Sequence, residues 1–90
     1  MQGTYLEVTF RSGTPLAAYL YLPRRLDEKS ARIEKRGEGL LVDIAADGRP
    51  IGIEIAIPAL VTVEAVNKVL TSFGLPTVDA AELAPLKLAA

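Results

Sequence analysis

Residues Gly39 to Ile57, GLLVDIAADGRPIGIEIAI, leave this chain few choices of structure. Two alternating apolar runs flank Asp47-Gly48, and both of those residues tolerate the positive φ that a tight hairpin turn demands. A two-residue turn pairs Ala46 with Arg49. It then sets Ile44 opposite Ile51, Val42 opposite Ile53 and Leu40 opposite Ile55, all on one face. A slip of one residue would set Ile44 against Gly52 and scatter the match. The other face carries Leu41, Asp43, Ala45, Gly52, Glu54 and Ala56, a mixed set.

The rest of the chain supplies partners for that hairpin. Thr4 to Phe10 alternates Leu6, Val8 and Phe10 against Tyr5, Glu7 and Thr9, the period of a half-buried strand. Ser12 to Pro15 is turn chemistry. Ala17 to Leu22 alternates again, with Leu20 and Leu22 opposed to Tyr19 and Tyr21, and Pro23 ends it. Arg24 to Glu38 interleaves six basic with four acidic side chains. Mixed signs cancel the field a phosphate site needs, so the stretch reads as a loop and then a charged edge strand, Ser30 to Arg36, with Ile33 reaching the core. After Pro58, Thr62 is an N-cap and Val61 and Val66 hold the hydrophobic-staple positions. Helical spacing runs from Val63 to Phe73, with Gly74 as the C′ residue. Asp79 and Glu82 cap a last short turn that Pro85 limits, and Leu83, Leu86 and Leu88 face the body or a neighbour.

These elements predict one α+β domain over residues 1–90. Residues 1–57 form an antiparallel β-meander of about five strands, and residues 58–90 form a C-terminal helix, packed on one face, and a tail. At 90 residues such a chain buries only roughly 60–65% of its unfolded surface, which favours further burial by self-association.

Composition removes whole classes of chemistry. There is no cysteine and no histidine, so disulfides, thiolate metal sites, cysteine nucleophiles and the usual neutral-pH base are excluded. The expected compartment is cytoplasmic. MQGTYLEVTF lacks the pattern of a signal peptide. The apolar run Ile51 to Val63 is broken by Gly52, Glu54 and Pro58, so no membrane span is expected. A net charge of −1 gives no field for nucleic acid. Ser12, Ser30 and Ser72 have no activating partner. Gly37-Glu38-Gly39 opens a strand rather than a phosphate-cradling helix.

Asp43 to Glu54 has the length and part of the pattern of an EF-hand loop, but Ala45 offers no side-chain oxygen and Pro50 sits where that loop makes a β contact. No cofactor or metal is therefore expected, and no catalytic residue is assigned. Asp43 and Glu54 fall on one face of adjacent strands as a diagonal pair, open either to a structural ion pair or to acid–base or ligand work. Tyr19, Tyr21, Leu41, Asp43 and Glu54 together mark the candidate interface or ligand face.

Ala17-Ala18-Tyr19-Leu20-Tyr21-Leu22, Gly39-Leu40-Leu41-Val42-Asp43, Asp47-Gly48 and Gly52-Ile53-Glu54-Ile55 resemble the YuzE-like family, small bacterial proteins grouped as a domain of unknown function. The resemblance spans Thr4 to Ile57. The chain departs from it at Ser12 to Leu16 and at Ala45, where acidic residues are usual. It implies a small β-rich fold with no assigned activity. The expected function is a non-enzymatic, self-associating interaction module, a dimer or other homo-oligomer, with an unidentified protein partner as a further possibility. The alternatives are a ligand-binding or weakly catalytic domain using Asp43 and Glu54, or an antitoxin-like partner of a two-gene module.

Overall fold

The computed structural model describes residues 4–25 and 27–86. Leu88, expected to pack, lies outside them. The chain forms β1 (Tyr5–Arg11), β2 (Thr14–Tyr21), β3 (Arg32–Gly37), β4 (Leu40–Ile44) and β5 (Pro50–Ile55). A 3-10 turn at Pro58–Leu60, helix α1 (Val63–Ser72) and a 3-10 segment at Ala80–Leu86 complete it. The five strands make one antiparallel sheet in the meander-like order β1-β2-β5-β4-β3.

A strictly sequential meander would seat β3 beside β2. Instead β5 takes the centre and β3 an edge. Burial explains the exchange: Ile51, Ile53 and Ile55 are fully buried in β5, whereas β3, RIEKRG, has no buried residue. Charged strands belong at edges, where they discourage further strand pairing. The second edge is β1.

One apolar cluster unites the sheet with the helix and the C-terminal segment. Leu20, Leu22, Leu40, Val42, Ile44, Ile53 and Ile55 share it with Val66, Val69 and Leu70 of α1 and with Val78, Leu83 and Leu86. The helix begins and ends where its residues dictate. Thr62 accepts a hydrogen bond from the Ala65 amide at 3.0 Å, and Val61 and Val66 are buried as a staple. At the other end Gly74 has φ +73°. The Leu75 amide donates to Leu70 and the Gly74 amide to Thr71, at 2.9 Å each; this is a Schellman closure, with Leu75 folded against the core. Asn67 then clamps the tail: its Nδ2 donates to the Val78 carbonyl at 3.0 Å, and its Oδ1 accepts from the Val78 amide at 2.8 Å. The last turn runs past the limit expected at Pro85, because a 3-10 segment holds the proline inside Ala80–Leu86.

Two details of register depart from expectation. The hairpin keeps Leu40 opposite Ile55 and Val42 opposite Ile53, but the register shifts after Asp43 and Ile44 pairs with Pro50. The turn is one residue wider than Asp47-Gly48. The Gly48 amide donates to Ala45 at 2.9 Å and the Ala45 amide to Arg49 at 2.8 Å. With Gly48 at φ +92°, this is a three-residue loop closed by a glycine bulge. Ile51 is the extra residue at the register shift between Pro50 and Gly52, and it remains buried. Ile33 does not reach the core: it is 60% exposed and lies opposite Asp43, on the face turned away from the helix. The residues of β3 on the helix side are charged, and Arg36 lies 4.6 Å over the Phe73 ring.

Candidate functional site

The sheet face away from the helix is built from two rows of directly paired residues. One row runs Tyr5, Tyr21, Gly52, Asp43, Ile33. The next runs Glu7, Tyr19, Glu54, Leu41, Lys35. All five candidate residues, Tyr19, Tyr21, Leu41, Asp43 and Glu54, therefore share this face, and each is half-buried. Ala45, expected beside them, is fully buried instead.

Tyr19 organises the centre. It leaves its own row and crosses Gly52 to donate from its hydroxyl to Asp43 Oδ2 at 2.6 Å. Gly52 makes room for this: a Cβ there would fall 1.8 Å from the Tyr19 hydroxyl oxygen. Ser30 Oγ lies 3.0 Å from the other Asp43 oxygen. Burial first, and then the bond to Asp43, push the Tyr19 hydroxyl well above its ordinary value of 10.0, so it stays a donor through the physiological range. Tyr21 packs edge-on to Tyr19 at 4.7 Å and against Tyr5 at 5.5 Å. Its hydroxyl reaches Glu7 at 3.4 Å, and the charge of Glu7 raises its pKa.

Asp43 and Glu54 are not brought to one point. Asp43 is held by Tyr19 and Ser30. Glu54 borders a separate shallow hollow of about 200 Å³ with Glu7, Thr9, Ala17, Ala18 and Tyr19. Among the described residues no group of three or more acidic side chains is placed to hold a metal ion. No helix among them is long and apolar enough to cross a membrane.

Both arginines before β3 are engaged. Arg24 donates to the Glu28 carbonyl at 2.7 Å and lies 5.8 Å over the Tyr21 ring. Arg49 bridges Glu28 and Asp47, and Arg25 approaches Asp47 at 4.0 Å. These contacts strap the β2–β3 connection to the hairpin turn. The Arg25 amide and then Arg49 hold the Glu28 carboxyl below its ordinary value, and Arg49 does the same for Asp47. Carboxyls with depressed values contribute stability above their unfolded pKa and lose it as pH falls through the folded one. An NMR titration is therefore expected to show the strap loosening with a midpoint below the ordinary glutamate value of 4.5, before β4 and β5 melt. A midpoint above 4.5 would contradict the pairing.

Other exposed apolar side chains are Phe10, Leu16, Ile57 and Leu60. No protein-family model matches the chain, and neither a protein of described function nor a solved structure matches it significantly.

Proposed function

We propose that this protein is a non-enzymatic interaction module that self-associates through the sheet face bearing Tyr19, Tyr21, Leu41, Asp43 and Glu54. The observation that carries this reading is the uncovered sheet. One face shares the apolar cluster with the helix and tail. The other displays three tyrosines, Leu41 and Ile33; among the described residues no helix or strand covers it, and only the Arg24 side chain over Tyr21 and Ser30 at Asp43 reach it. Apolar and aromatic area of that kind on so small a domain is normally covered by a second molecule. Tyrosines with fixed hydroxyls are favoured anchors, since they bring large area at little entropic cost. The resemblance of residues 4–57 to the YuzE-like family is compatible with this reading and adds no activity to it.

Light scattering at micromolar concentration is expected to give twice the 9.6 kDa chain mass. Leu41→Lys sets a second ammonium beside Lys35 in the same row and is expected to return the protein to a monomer. A monomeric wild type would end the self-association reading. A dimer that survives Leu41→Lys would move the contact to the β1 edge.

A further inference from the structure

Resting on that reading, we infer that two copies pair face to face about a two-fold axis running along β5, so that each β1 lies over the partner's β3. The charge order of one row selects this arrangement. Glu7 stands at the β1 end and Lys35 at the β3 end, with β5 at the centre. An axis along β5 reverses the row and sets each Glu7 over the partner subunit's Lys35. It also sets Tyr19 over the partner's Leu41, and Tyr5 over the partner's Ile33. An axis across the strands would instead lay β1 on β1 and β3 on β3, bringing Glu7 near its own copy and Lys35 near its own.

The distances are compatible. Strands about 4.8 Å apart put Glu7 and Lys35 roughly 10 Å either side of β5, and facing sheets lie about 10 Å apart. The usual twist of about 30° between packed sheets displaces those ends by roughly 5 Å, which the flexible lysine stem spans. Lys35 is free to make the exchange because its present partner, Glu38 at 3.4 Å, is an exposed ion pair of the kind that contributes little.

The same axis imposes one unfavourable contact. Glu54 sits on the central strand, so it faces the partner's Glu54. The arrangement therefore predicts opposite signs for substitutions in one row. Glu7→Lys and Lys35→Glu are each expected to raise the dimer Kd by about tenfold, and the double charge reversal is expected to return it to within about threefold of wild type. Glu54→Gln removes the like-charge contact and is expected to tighten the dimer by about tenfold. Analytical ultracentrifugation reads all four variants, with circular dichroism confirming that each is folded. A wild-type dimer in which the double reversal fails to compensate, or in which Glu54→Gln leaves Kd unchanged, overturns this register while leaving self-association standing. A monomeric wild type overturns both.

Discussion

Replacing Ile53 by Ala is expected to cost about 2–4 kcal/mol of folding stability, the range for truncating a buried aliphatic side chain. Ile53 is fully buried, at the middle of the central strand, flanked by Val42 on one side and Leu20 on the other. No neighbour is free to collapse into the space, because those positions are themselves in the cluster with Val66 and Leu70. In a domain of this size such a loss lowers Tm by on the order of 10–30 °C. Denaturant unfolding checks it. A loss under about 0.5 kcal/mol, the scale of a surface substitution, would mean that Ile53 is not on the core face.

Gly52→Ala is expected to destabilise the protein by about 1–3 kcal/mol, the penalty for stripping a partly buried polar group of its partner. The added methyl would overlap the Tyr19 ring, with contacts of 1.8 Å to its oxygen and 2.4 Å to a ring carbon. The ring must swing away, and Asp43 loses the shorter of its two hydrogen bonds, keeping only Ser30. Ordinarily alanine is better than glycine inside a strand, since glycine gives up more chain entropy on folding. The sign of the effect therefore depends on Tyr19. In a Tyr19→Ala background the same Gly52→Ala change is expected to be neutral or stabilising. An equal loss in both backgrounds would show that the ring does not rest on Gly52 in solution.

How legible each element was in the residues depends on how local its signal is. The helix could be read almost to the residue, because Thr62, Val61, Val66 and Gly74 act within a turn of the ends they define. The β4–β5 pairing was legible from matched alternation, although the glycine bulge that shifts Ile44 to Pro50 was not. Both turn types accept Asp-Gly, and only the backbone path separates them. Ile33 was misplaced because a strand with a single aliphatic residue among charges fixes no face. Its orientation comes from the register with β4, which is irregular between Lys35 and Gly37. The Tyr19–Asp43 bond needs β2 beside β5, a non-local fact. One signal did point to it: a glycine inside an otherwise isoleucine-rich strand marks a close approach by another group. The strap from Arg49 to Glu28 joins residues 21 positions apart, and nothing in the local pattern names that pair among so many charges.

The unlike edges of the sheet limit how far copies of this chain can join. Polymerisation by strand addition needs two adhesive ends on every molecule. Along β3, Glu34 is tied to Arg32 at 3.0 Å and to Arg36 at 2.9 Å, and an irregularity breaks the ladder before Gly37. A strand arriving there meets a rank of solvated charges and a bent backbone. Among the described strands only β1 is left to accept a new one, which gives a valence of one in that direction. Two copies that join through β1 have no further edge to offer, and growth halts at a pair. Face-to-face pairing would be equally self-terminating, since the described residues leave one face of the sheet uncovered. Either route taken alone ends in a closed pair, and a filament built by strand addition would require the charges on β3 to be removed first.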